Sequence, residues 1–219
     1  MVPLNPVERE AEFSAGFPDE LDLLLQLRRD VRRFRTDPIA PELLDEILAS
    51  AELSPSVGNS QPWRWVEVRS EDLRREIRDN FSQANADALA GYAGERANHY
   101  AGLKLSGLDD APVHLAVFTQ HDPEQGHRLG RMTMPQTLEF STVTAITTLW
   151  MAARARGIGV GWVSIIDADQ VAQTLSVPED WSLTAYLCLG YPQVTSTVPE
   201  LQRLGWQART DPAERRSVR

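Results

Sequence analysis

Cysteine is almost missing from this sequence: Cys188 stands alone among 219 residues. No intramolecular disulfide can staple such a chain, so its stability must come from a packed core. Long apolar runs are missing too, none approaching the roughly 18 residues that a membrane-spanning helix requires. Positive charge is in short supply, with 22 Lys plus Arg against 31 Asp plus Glu and a net charge of −9. An acidic surface repels phosphate backbones, which argues against nucleic acid as a general partner. The four histidines, His99, His114, His121 and His127, form no HExxH pattern and have no cysteines beside them, so no metal site is expected. There is no G-x-S-x-G elbow for a hydrolase and no Walker lysine for a nucleotide triphosphatase. The first twelve residues carry acids and prolines where a secretory leader needs a basic start and an apolar run, and the expected location is the cytoplasm.

What is present is a core-forming composition, 42% hydrophobic and 24% charged, with no internal repeat and no dividing linker. Leu21, Leu24, Leu25 and Leu27 put a leucine stripe on a helix over 18–28. Pro41 opens a second helix through Ala51, stopped before Pro55 and Gly58. Residues 65–68 read as a short strand, and Ser70 offers an N-cap for a helix carrying Leu73, Ile77 and Phe81. The stretch 82–110 is rich in Ala, Asn, Gly and charge, with few apolar anchors, and reads as lightly packed helices forming a lid. Val113 to Thr119 is a continuous apolar run, the pattern of a central strand covered on both faces. A long helix over 138–156, closed by Arg154, Arg156 and Gly157, carries a small-residue stripe that permits close helix approach. Strands over 159–165 and 183–189 flank a helix capped by Asp167. Helices outnumber strands, and the fold class is α+β.

Residues 28–35 hold five arginines around Asp30 in an otherwise acidic chain. The plain reading is a solvated basic face. If the segment is helical, however, Arg28 and Arg32 are spaced to fork around one phosphate, whose oxygens match guanidinium donors. Gly157, Gly159 and Gly161 do not make a dinucleotide loop, because they follow a helix and enter a strand, the reverse of that fingerprint. Read physically, the chain is an α+β protein that holds something phosphorylated.

Five segments carry a resemblance. Arg28-Arg29-Asp30-Val31-Arg32, Ser54-Pro55-Ser56-Val57-Gly58-Asn59-Ser60-Gln61-Pro62-Trp63, Gly157 to Ser164, and Leu189-Gly190-Tyr191-Pro192 with Gly205 to Arg209 resemble, in order and spacing over about 17–209, the nitroreductase-like FMN proteins. Asp30, Trp162-Val163-Ser164 and the Tyr100 to Leu105 segment resemble the branch of that family that breaks down its own flavin. Asn59-Ser60 departs from it, standing where bulkier apolar residues are expected.

The resemblance implies a nitroreductase-like fold with a central mixed sheet flanked by helices, and a homodimer with shared active sites. It implies one flavin domain over 17–209 with a lid at about 82–110, an N-terminal arm over 1–16, and a basic flexible tail over 210–219. The implied activity is the oxygen-dependent fragmentation of reduced FMN to 5,6-dimethylbenzimidazole, the lower ligand of cobalamin, with release of a four-carbon sugar phosphate. FMN is then the substrate, O2 the co-substrate, and a separate flavin reductase the supplier. By the same resemblance, Arg28, Arg29, Val31, Arg32, Gln207 and Arg209 hold the phosphate and flavin edge, with Pro55, Ser56 and Val57 on the ring or dimer side. Gly161, Trp162 and Val163 line the flavin, Asp30 moves protons, and Ser164 hydrogen-bonds near flavin N5. The alternatives are an FMN-dependent nitroreductase or dehalogenase-like reductase, for which Glu95, Tyr100 and Lys104 form a lid triad, and a flavin-binding protein without turnover.

Overall fold

The computed structural model describes residues 13–94, 96–98 and 107–219. Local sequence signals set most of the element ends. Pro18 sits in the first turn of α1 (Phe17–Leu27) and Pro41 opens α2 (Pro41–Ala51), positions where a missing N–H costs nothing. After a short 3-10 turn at Val57–Asn59 comes β1 (Trp63–Glu67), two residues earlier than its sequence pattern predicts. Ser70 caps α3 (Glu71–Ala90) by accepting from the Leu73 N–H, and this helix runs nine residues past Phe81 into the expected lid. The remaining order is α4 (Gly107–Asp110), β2 (Val113–Gln120), α5 (Thr137–Ala155), β3 (Gly159–Val163), α6 (Ala168–Thr174), β4 (Trp181–Gly190) and α7 (Glu200–Arg203). The part of the lid holding Glu95, Tyr100 and Lys104 lies outside the described residues.

The four strands form one sheet in the order β1-β2-β4-β3, with antiparallel ladders throughout. Its parallel component is a bridge between Asp30 and Val160 at the β3 edge. β2 lies inside the sheet and is buried along nearly its whole length, as its apolar run predicts. α5 and α2 cover one face through an aliphatic cluster that includes Ile47, Leu115, Ile146, Leu149, Leu187 and Leu189. α3, α6 and Phe34 cover the other, packing on Phe118, Val163, Tyr186 and Cys188. Asn80 ties α3 to α6 reciprocally, donating to Asp167 O at 3.0 Å and accepting from Asp167 N at 2.8 Å.

α5 ends as its sequence predicts. Gly157 takes φ +77°, and the Ile158 and Gly157 amides return to Ala153 O and Arg154 O, a Schellman closure open to glycine without strain. That turn feeds β3 directly beneath the arginine-rich segment. α1, by contrast, has no buried residue, and Leu21 and Leu25 of its leucine stripe are exposed on the single chain, as is Leu23 beside them.

Candidate functional site

The arginine segment is not helical, which corrects the premise on which Arg28 and Arg32 would fork around a phosphate. α1 stops at Leu27, Arg28 is extended (φ −70°, ψ 106°), and the chain then runs along the β3 edge. Val31 N donates to Val160 O at 3.0 Å. The two glycines of β3 exist for this crossing. A Cβ on Gly161 would lie 2.2 Å from Val31 O, and one on Gly159 would lie 2.7 Å from Val31 Cγ2. A side chain at either position would push the segment off the sheet.

Extended backbone alternates its side chains, and the arginines divide accordingly. Arg29 donates to the Thr197 carbonyl and Arg33 pairs with Glu200 at 2.8 Å, so both grip the 194–200 segment. Arg28 lies over the Trp150 ring of α5 at 4.9 Å. Asp30 is fixed from two sides: its Oδ1 accepts from the Trp162 N–H at 2.9 Å and its Oδ2 faces Arg32 Nε at 3.4 Å.

These residues meet in a cavity of about 160 Å³ lined by Arg28, Arg29, Asp30 and Arg32 together with Pro199, Glu200, Leu201 and Arg209. An adjoining cavity of about 70 Å³ adds Val31 and Arg33. Burial lowers the Arg28 pKa, Asp30 opposes that, and Arg209 adds to it; burial and then Arg209 and Arg28 lower that of Arg29. Cations are thus crowded against one another. Among the described residues no carboxylate pairs with Arg28 or Arg209, so an anion placed between them relieves repulsion and gains charge-assisted hydrogen bonds. A phosphomonoester fits this donor set. Flavin-sized ligands need about 300 Å³ or more, so these cavities admit the phosphate end and leave most of the ring to be walled by something else.

Burial raises the pKa of Asp30, while the Trp162 N–H and Arg32 oppose the rise. Its side chain keeps 39% of its exposure, against 11% for Arg32, so the carboxyl faces the cavity rather than the core. A carboxyl held rigidly, with its neutral form favoured, can take up and return a proton. Behind it, Gly161, Trp162 and Val163 line a pocket of about 10 Å³ with Cys188 at its floor. Burial pushes the Cys188 thiol well above its usual range, which keeps it neutral and unreactive. Ser164 follows the last residue of β3 and is exposed, one position beyond this wall.

Pro55, Ser56 and Val57 are not brought to the arginine cavity. They are locked near the start of α5, where Val57 N donates to Ser141 Oγ at 3.0 Å, whereas Arg28 sits at Trp150. Nine residues of helix separate those contacts, a rise of about 13 Å. The departure at Asn59-Ser60 has a packing reason. Gly58, Asn59 and Gln61 take positive φ, and a Cβ on Gly126 would come within 3.0 Å of Ser60 Cβ, so the two loops meet nearly backbone to backbone. Gln207 lies just outside the cavity, beside Arg209. Trp150, Glu200 and the Cys188 floor were not found from the sequence, because none lies in a local motif and each arrives from a different element.

The fold and this site define a class: the chain belongs to the nitroreductase family, whose sequence model matches residues 25–191. Among individual proteins, it is 54% identical over 197 residues to the 5,6-dimethylbenzimidazole synthase of Rhodospirillum rubrum, spanning 90% of this chain and 93% of that one. It is 51% identical over 195 residues to the protein of the same name from Rhodobacter capsulatus, with 89% and 94% covered. Among solved structures it resembles an iodotyrosine deiodinase bound to FMN and 3-iodo-L-tyrosine, with a TM-score of 0.68 at 25% identity over 80% of this chain and 91% of that one. A BluB-like flavoprotein from Clostridium difficile 630 shares the fold, with a TM-score of 0.67 at 21% identity and coverage of 90% and 98%.

Proposed function

We propose that this protein is a 5,6-dimethylbenzimidazole synthase, which fragments reduced FMN with dioxygen and releases a four-carbon sugar phosphate. Support for the activity comes from relatives that carry that name at 54% and 51% identity across nine tenths of the chain. The observation that carries it on this molecule is Asp30, a carboxyl facing a cavity of crowded guanidinium groups and held by the Trp162 N–H. Reduced flavin, when bound, supplies the electrons for oxygen chemistry and the carbon atoms of the product.

The chain's own residues then bind, orient and move protons. Arg28 and Arg209 hold the phosphate, and Trp150 backs the Arg28 guanidinium. Arg32 holds the Asp30 carboxyl on one side and the Trp162 N–H holds it on the other, so that Asp30 presents one geometry to the ring. Asp30 serves as general base and acid within hydrogen-bond reach of the transferring protons. Ser164, at the open end of β3, orders the ring near N5.

The reading includes a homodimer. Cavities beside Asp30 that are too small for a flavin, the separation of Pro55–Val57 from the arginines, and the exposed apolar residues Leu21, Leu25, Met132, Met134 and Phe140 all favour a partner that completes the site. A separate reductase supplies the reduced flavin. The test is to incubate the protein with FMN, a flavin reductase, NADH and air, and to look for 5,6-dimethylbenzimidazole by mass spectrometry. Its formation at the expense of FMN is expected; intact FMN after many reduction cycles would sink the reading in favour of a reductase.

A further inference from the structure

The C-terminal segment inverts the charge of the chain. Over residues 203–219 it holds five arginines, Arg203, Arg209, Arg215, Arg216 and Arg219, against two acids, Asp211 and Glu214, in a protein of net charge −9. A short turn organises part of it. Asp211 caps the 3-10 helix Pro212–Arg215 by accepting from the Ala213 N–H at 2.9 Å. The turn folds Arg215 back, so that it donates to both the hydroxyl and the carbonyl of Thr210.

Arg215 then faces an open cavity of about 480 Å³ lined by Gln207, Ala208, Arg209, Thr210 and itself. No carboxylate lines this cavity, although both acids of the segment lie within a few residues of it. Arg209 lines the inner cavity as well, beside Arg28 and Arg32. Arg209 therefore lines both compartments, and the arginines lead from solvent to the place where the phosphate is proposed to settle.

We infer that Arg209 and Arg215 form an outer phosphoester subsite that captures the phosphate of the incoming flavin and passes it inward to Arg28. This rests on the flavin reading above and adds a capture step to it. The need for one follows from the rest of the molecule. A flavin consumed at each turnover must be loaded afresh as a dianion by a protein of net negative charge, and a local positive funnel raises the encounter rate of such a ligand. The subsite acts on arrival, because the resting phosphate contacts lie with Arg28 inside.

Stopped-flow quenching of FMN fluorescence, at low and moderate salt, measures the association and dissociation rates separately. Arg215→Gln should slow association about threefold at low salt and flatten its salt dependence, leaving dissociation within experimental error. Arg215→Lys, which keeps the charge, should restore the rate. Arg216→Gln removes the same charge one residue outside the cavity and should change association by much less. Equal slowing in Arg215→Gln and Arg216→Gln would replace the subsite with a diffuse charge effect, and an effect confined to dissociation would make Arg215 part of the resting site. Either result overturns the proposal. Unmodified protein that fails to quench FMN would overturn the capture step, and if it also forms no 5,6-dimethylbenzimidazole from reduced FMN, the flavin reading falls with it.

Discussion

The same strands build both faces of the sheet, yet the faces bury different chemistry. On β4, Ala185, Leu187 and Leu189 point toward α2 and α5, while Tyr186 and Cys188 point toward Phe34 and α3. On β2 the alternation sets Leu115 and Val117 against His114 and Phe118. The first face is mainly aliphatic, and the hydroxyls of Thr119, Thr142 and Thr184 within it hydrogen-bond to one another. The second carries polar groups inward: the His114 ring meets Tyr186 Oη through Nδ1 at 2.9 Å, and Cys188 underlies the Asp30 pocket. Burial pushes the His114 pKa down to about 3, with Arg74 and Arg78 adding to the effect, and pushes the Tyr186 pKa up. The difference teaches a division of labour. The aliphatic face holds the sheet rigid, and the polar face gives up some stability to carry the site.

Substitutions can break this comparison, and the largest effect is expected at the site. Asp30→Asn keeps the acceptor for the Trp162 N–H and removes the proton acceptor, so product formation should fall by about 10²-fold or more. FMN affinity should change little. Because burial raises the Asp30 pKa in the folded state, the ionised form is disfavoured there and folding is opposed as pH rises through that value. The variant should therefore melt at the same or a slightly higher temperature at neutral pH. Undiminished product in the variant would remove Asp30 from proton transfer, and a lower melting temperature would show the carboxylate to be structural.

Leu187→Ala probes the opposite face of the same strand. Leu187 is fully buried, and truncation should cost about 2 to 5 kcal/mol through lost transfer energy and the cavity left behind. Urea midpoints at an unchanged m-value check this, with FMN affinity per folded molecule intact. A loss below 1 kcal/mol would mean that the aliphatic face does not carry the stability assigned to it.

His114 sharpens the comparison through pH. Its ordinary pKa is about 6.5 and its folded value about 3, so between these limits the unfolded chain takes up a proton that the folded chain refuses. The contribution of a neutral His114 is present above pH 6.5 and drains away as pH falls, at up to about 1.4 kcal/mol per pH unit. His114→Gln should flatten the stability profile between pH 6 and 4 by that slope. Parallel profiles for the two proteins would place the ring in contact with water.

Ser164→Ala gives the smallest expected effect. If Ser164 hydrogen-bonds near flavin N5 as proposed, losing that bond, about 1 kcal/mol, should lower product per FMN consumed about fivefold and raise peroxide in step, with affinity unmoved. A constant yield would return Ser164 to an ordinary strand-end hydroxyl.

Much of this molecule was legible in local sequence, and the reason is that local rules are short-ranged. Pro41, Ser70, Asp167 and Gly157 mark helix ends because caps and left-handed turns depend on the residue at the spot. The apolar run of β2 and the leucine pattern of α1 announced their elements by periodicity. The same signals misplaced the arginine segment, since a charge run has no preferred backbone, and it is held extended by the edge of β3, cleared by Gly159 and Gly161, and by backbone hydrogen bonds to residues 191–193.

What the sequence alone determined is most of the elements before residue 194, the presence of an anion-seeking arginine cluster, and the motifs that mark the family. Tertiary structure decided which arginines face the cavity and which grip the 194–200 segment, because extended backbone alternates and α1 had already ended. It set Trp150 beneath Arg28 and brought Glu200 and Arg209 to Asp30 from about 170 residues away, a convergence no local pattern encodes. It also left Pro55–Val57 nine residues along α5 from the contact that Arg28 makes with the same helix. One stretch of sequence fixes its own φ and ψ within a few residues, whereas a site is made of side chains whose common neighbourhood exists only after the sheet has closed.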